Sequence, residues 1–273
     1  MTGKSTQWIS VSTVVLWAIF TAITIFYPAS PFARPATFLA IAMLTAFGLV
    51  HGSRRFGFKR AIGLFVIAVV ISNIFENLSI STGFPFGYYV HTPASGPKIF
   101  QVPIIVGLIF FSLCYIAWTL ATMLLGDPAR PGDRRFIIGV PIVASFIVVG
   151  WDICSDPIGA TIGRQWLYAH GGAYFGVPVS NYTGWYICTW SIFQAFSIYL
   201  ARTPVSNRPV NTSYWYEAAA FWGVMSLQYP MLLLANPETM VVRDTGGWAW
   251  RSGDILQGAV IMSIYTMLAA AIT

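Results

Sequence analysis

Three carboxylates stand where an apolar chain has little use for charge: Glu76, Asp152 and Asp156. Asp152 and Asp156 are four residues apart, so a helix carried to Pro157 puts both on one face. Two carboxylates held that close repel, and one tends to keep its proton at neutral pH. A protonated carboxylic acid in an apolar site is a strong general acid, because loss of water opposes its ionisation. The competing structural readings are a helix cap or a salt bridge to Arg164. The same pair could also hold Mg²⁺ against a diphosphate. No DDxxD-type cluster is present and the only basic residue nearby is Arg164, so acid chemistry is favoured, with no cofactor required.

Glu76 is followed within a few residues by the end of its apolar run, and an acid inside a membrane costs about 2.5–3.5 kcal/mol on translocon scales. It is either an interfacial group that reaches water or a protonatable acid facing the interior of a bundle. Asn73 and Asn77 flank it at helical spacing, and Asn73 and Glu76 can share a face. Beside the acids stand Tyr88, Tyr89, Trp151, Trp166, Tyr174 and Trp185, with Trp248 further on, and Asn181 offers a polar wall. A membrane-interface belt accounts for many such aromatics. Electron-rich rings also stabilise a cation once water is excluded.

These residues must be positioned by membrane helices. The chain has 273 residues, 56% hydrophobic and only 9% charged, whereas soluble domains carry about 25% charged residues. Its apolar runs are long enough to cross a core ~30 Å thick and lack strand-like alternation. In lipid the backbone must satisfy its own hydrogen bonds, so the reading is an all-α polytopic helix bundle forming one membrane domain over residues 1–273. Eight spans are placed at 8–27, 35–51, 59–80, 99–125, 134–156, 180–201, 212–235 and 252–271. The first is expected to be a retained helix rather than a cleaved signal peptide.

The net charge of +6 orients the chain and marks no nucleic-acid face. Lys4, Arg54, Arg55, Lys59, Arg60, Arg130, Arg134, Arg135, Arg202 and Arg208 fall in the N-terminal tail and even-numbered connections. The odd-numbered connections hold only Arg34, Lys98, Arg164, Arg243 and Arg251, so both termini are expected in the cytoplasm. The third, fifth and seventh connections then open on the opposite side, and the acids and their aromatics collect there. The blocks after the third and fifth spans share a carboxylate followed by an aromatic Gly/Pro-rich loop, without a strict period.

Other features carry less. Cys114, Cys154 and Cys188 lie in apolar segments without ligand spacing and read as packing residues. His51 is expected at the interface, whereas His91 and His170 lie in outer loops and could join the site. The sequons at Asn77, Asn181 and Asn211 are short enough to arise by chance, and there is no P-loop, GxGxxG or His-Glu-x-x-His.

Taken together, these blocks resemble the carotenoid-biosynthesis membrane protein family that includes the γ-carotene and bisanhydrobacterioruberin hydratases. The resemblance rests on Glu76 followed by Thr82-Gly-Phe-Pro-Phe-Gly-Tyr-Tyr89, Val102-Pro103, and Asp152-x-x-x-Asp156-Pro157. Trp166, Gly172-Ala-Tyr-Phe-Gly-Val-Pro178 and Asn181-Tyr-Thr-Gly-Trp185 complete it, so that it covers about residues 70–190. Tyr89-Val-His91 departs from the more aromatic stretch expected there, and the last two spans carry no alignable pattern.

The resemblance implies hydration of a terminal isopropylidene double bond of a carotenoid, with a lipophilic isoprenoid as substrate and the bilayer as surroundings. It leaves other isoprenoid-pathway enzymes open as partners. The residues supply a mechanism of their own: Asp152 protonates the alkene, aromatic faces shield the tertiary cation, and water adds. Glu76 or Asp156 orients that water or holds the partner proton. A site that excludes water would make the same cation cyclise, giving a membrane terpene cyclase, and Mg²⁺ on the aspartates would start it by loss of diphosphate. A third reading is a transporter coupled to protons through Glu76. Against it, the polar residues gather on one side and no helices are clearly broken in matched halves.

Overall fold

The computed structural model describes residues 3–126, 133–202 and 209–273. Arg130 and Arg208, two of the residues in the charge bias, lie outside the described residues. The protein is an all-α bundle. Helices α1 (Gly3–Phe26), α2 (Ala33–Phe56), α3 (Phe58–Thr82) and α4 (Ile104–Leu125) follow one another. After them come α5 (Val140–Pro157), α6 (Val179–Arg202), α7 (Thr212–Ser226), α8 (Gln228–Ala235), α9 (Ser252–Met262) and a last short turn, α10 (Ala269–Ile272). With π-helical stretches joined to their helices and α7 taken with α8, seven of these are long and apolar enough to cross a membrane. The remaining long helix, α6, matches them in length but carries Asn181, Thr183, Thr189, Ser191 and Gln194. It packs between α3 and α5, where Asn181 and Thr189 are buried.

Helices α3, α4, α5 and α6 form the central bundle, with α2 against α3 and α4, α1 against α2, α7 on α4, and α9 on α5. The centre is α4, which buries an unbroken run from Phe110 to Thr122. A helix apolar all round is what a surrounded position requires. His51, expected at the interface, is fully buried against its neighbouring helices. Its Nδ1 lies 2.5 Å from the Tyr115 hydroxyl and its Nε2 2.9 Å from the Tyr214 carbonyl, which ties α2 to α4 and α7. Arg54 of α2 is paired with Glu217 of α7. Asn211, one of the three sequon residues, caps α7 by accepting from the Tyr214 N–H at 3.3 Å. The three cysteines are unbridged and buried.

Three of the differences from the sequence reading have a backbone reason. The fourth helix starts at Ile104 rather than 99, because β2 (Lys98–Ile99) and β3 (Val102–Pro103) pair as a tight hairpin and Pro103 caps the helix. The fifth does not stop at Pro157 but runs on as a π-helical turn over Ile158–Ile162, closed by the Gly163 N–H on the Ile158 carbonyl at 2.8 Å. The seventh, read as continuous over 212–235, breaks at Leu227 between α7 and α8. Pro230 is responsible: it has no N–H for the carbonyl of Ser226, the last residue of α7.

The connections that follow α3, α5 and α8 are knitted together at one end of the bundle. Strand β1 (Tyr89–His91) pairs antiparallel with β4 (Trp166–Tyr168), in the register Tyr89 to Tyr168 and His91 to Trp166. The two blocks that look alike in sequence are therefore zipped to each other. The hairpin of β5 (Val241–Arg243) and β6 (Ala249–Arg251) is tied to the same loop where Gly171 N–H donates to Thr245 Oγ1 at 3.0 Å.

Candidate active site

In a two-stranded ribbon alternate residues face the same way, so Tyr89 and His91 on β1 lie on one face with Trp166 and Tyr168 on β4. That face closes over the ends of α3, α5 and α6. Two close approaches allow it. A Cβ at Gly159 would lie 2.2 Å from the Trp166 ring, so only glycine lets that indole cover the end of α5. A Cβ at Gly184 would lie 2.8 Å from the Pro85 carbonyl, so α6 can seat the loop that carries Phe86 only through a glycine.

Beneath the ribbon is a partly open cavity of about 270 Å³. Glu76 comes from α3, Asp152 and Asp156 from α5, and Asn181 from α6; each is at most 5% exposed. The Asn181 amide is the keystone, donating from Nδ2 to Asp152 Oδ2 and Asp156 Oδ2, both at 2.8 Å. Asp156 Oδ2 also accepts from the Tyr168 hydroxyl at 2.8 Å. Among the described residues Asp152 thus takes one side-chain hydrogen bond and Asp156 two. Glu76 mirrors Asp156: it accepts from Tyr89, the register partner of Tyr168, and His91 Nε2 lies 3.3 Å from the same oxygen. Burial first, then the neighbouring carboxylates, holds the Tyr89 and Tyr168 phenols well above the usual phenol range, so both donate as neutral hydroxyls.

Aromatic rings line the same cavity. Trp185 stacks on Phe110 with ring centres 4.2 Å apart, and Trp151 and Phe86 approach the same indole at 5.8 and 6.4 Å. Gln165, Gln228, Tyr229 and Leu232 also line the space. No Lys or Arg lines it among the described residues.

Of the residues the sequence singled out, Glu76, Asp152, Asp156, Tyr89, His91, Trp151, Trp166, Asn181 and Trp185 line this one cavity. Four do not. Asn73 and Asn77 bond to each other, Nδ2 of Asn77 to Oδ1 of Asn73 at 2.9 Å, away from Glu76. Asn77 Oδ1 then accepts from the Gln101 N–H at 3.4 Å, bracing the β2–β3 hairpin. Tyr88, alternating with Tyr89, points away, 52% exposed, with its ring over Gly83. Tyr174 packs on Phe175 and Tyr182 outside the cavity. Trp248 is 70% exposed and His170 is exposed. Arg164 makes no salt bridge to the aspartates; its guanidinium donates to the Arg243 carbonyl at 3.4 Å.

The sequence reading passed over Tyr168, Phe86, Phe110, Gln165, Gln228, Tyr229 and Leu232. Tyr168 had a signal: it stands two residues after Trp166, the spacing that shares a strand face. Phe110 had none, since it sits in a uniformly apolar helix.

The family model described as carotenoid biosynthesis protein matches residues 32–242, which takes in every helix that contributes to the cavity. The bisanhydrobacterioruberin hydratase of Haloarcula japonica is 30% identical over 128 residues, 46% of this chain and 41% of that protein, so the match spans less than half the relative's length. No solved structure matches the chain. With most of its length inside the family model and its helices arranged as a polytopic bundle, the chain belongs to the carotenoid biosynthesis protein family.

Proposed function

We propose that this protein is a membrane hydratase that adds water across the terminal trisubstituted double bond of an acyclic carotenoid or related isoprenoid. One observation carries the reading: three buried carboxylates and a cluster of stacked aromatic rings line one small cavity. The hydratase name of the Haloarcula japonica relative agrees with it.

Asp152, in its protonated form, gives its proton to the CH carbon of the double bond. It is the acid with fewer hydrogen bonds of the two, so its hydroxyl has the fewest competing partners. Asn181 and Tyr168 hold Asp156 as the fixed acceptor beside it and set the aspartate geometry. The positive charge then rests on the tertiary carbon, against the faces of Trp185 and its neighbours. Water adds there from the side of Glu76, His91 and Tyr89, and its oxygen forms the new C–O bond. The oxonium proton passes to a carboxylate of the cluster and from there restores Asp152. The net change is alkene plus water to tertiary alcohol. General acid catalysis of this kind contributes about 10²–10⁴-fold, and the ring faces lower the energy of the cation in a desolvated site.

The site is assigned to the non-cytoplasmic half, with both termini in the cytoplasm, on the charge bias. A diphosphate would meet carboxylates on a wall with no Lys or Arg, which favours initiation by a proton over initiation by loss of diphosphate.

Turnover in D₂O tests the initiation step. Protein in liposomes with an acyclic carotenoid should give a product bearing one non-exchangeable deuterium on the carbon next to the new carbinol. Product formed without carbon-bound deuterium rules out protonation of the alkene as the first step.

A further inference from the structure

The cavity is built with two unlike ends. Its inner end, between α3, α5 and α6, holds the three carboxylates, Asn181 and the ribbon tyrosines, nearly all buried. Its other end lies between Val106 and Ile109 of α4 and Gln228 and Leu232 of α8, all half-buried and three of them hydrocarbon. Of the seventh span, α7 packs on α4 and α1, and α8 packs on α9 and α1. The volume sets a further limit. A cavity of about 270 Å³ lies just below the ~300–1,000 Å³ of pockets that bury a drug-sized ligand, room for an end group rather than a whole polyene.

We propose that the gap between α4 and α8 is a lateral door, and that a long linear isoprenoid hydrocarbon is held through it by one end. The end group lies among the acids and the tail runs between Val106, Ile109 and Leu232 into the bilayer. The protein then selects an acyclic end group and tolerates differences further along the chain. Its substrate comes from a reaction that leaves that end uncyclised, and either end of a symmetrical chain can be presented in turn. The placement rests on reading the cavity as the reaction site.

The test uses full-length protein in liposomes and a linear acyclic polyisoprenoid hydrocarbon with a diazirine at mid-chain. Irradiation should label peptides from α4 and α8, and an excess of unlabelled acyclic carotenoid should remove that label. Label confined to outward positions of α1, such as Val15 and Ile19, overturns the door. Kinetics give the second reading. Leu232→Trp and Val106→Trp should raise KM for the long isoprenoid about tenfold more than for a short acyclic alkene with the same end group. Equal losses on both substrates also overturn it. Label on α4 and α8 in a protein that hydrates neither substrate supports the door while removing the hydratase reading.

Discussion

Asp152→Asn lowers turnover by about 10²–10⁴-fold in folded protein, the range that general acid catalysis contributes. The substitution is chosen to leave the scaffold standing. Asn keeps a side-chain carbonyl for the Asn181 amide, which donates to Asp152 Oδ2 at 2.8 Å, and it fills the same space in a site only 2% exposed. What it removes is the acidic proton, so kcat should fall while KM for the isoprenoid stays close to its original value. Asp156→Asn is the informative comparison. Its Oδ2 accepts from both Tyr168 and Asn181, as a carbonyl also can, so its loss should be about tenfold, well short of that at Asp152. Turnover by liposome assay, with the melting temperature in detergent as the check on folding, decides the matter. Normal turnover by folded Asp152→Asn protein would remove Asp152 from the chemistry.

The second large effect is expected at the aromatic cluster. Trp185 is stacked on Phe110 and flanked by Trp151 and Phe86, so its indole is the ring through which that aromatic cluster meets. A desolvated cation–ring contact is worth about 2 kcal/mol, and at 1.36 kcal/mol per decade that is about 30-fold in rate. Trp185→Leu should therefore cost about 30-fold in kcat, and Trp185→Phe, which keeps a weaker ring face, clearly less. Equal losses in the two variants would mean that the ring matters for its bulk alone.

The family-bearing blocks were legible because their chemistry runs against the solvent. Glu76, Asp152 and Asp156 stood out as charges inside apolar runs, and the i,i+4 spacing of the aspartates survives in the structure as a shared contact with Asn181. Helix positions were legible for the same reason, as long runs without charge. The rest was hidden by rules the one-dimensional pattern does not carry. Tyr88 and Tyr89 are equivalent in composition, and only the β1–β4 pairing decides that Tyr89 faces Glu76 while Tyr88 faces out. Asn73 and Asn77 satisfied each other, an outcome that their spacing permitted as readily as a contact with Glu76. Tyr229 and Leu232 line the cavity from an apolar run in which nothing local marks the face that does so. Phe110 is one phenylalanine in a helix buried on all sides, and nothing local separates the face toward the cavity from the others.

Hydration has one atomic signature that cyclisation and transport lack: the oxygen of the product comes from water. Liposomes containing the protein and an acyclic carotenoid, incubated in H₂¹⁸O, should yield a tertiary alcohol heavier than its substrate by one labelled water, with the label in the new hydroxyl. An isomer of unchanged mass would instead mean that the aromatic wall guides a cyclisation, and an unaltered carotenoid would mean that the buried acids serve something other than addition to a double bond.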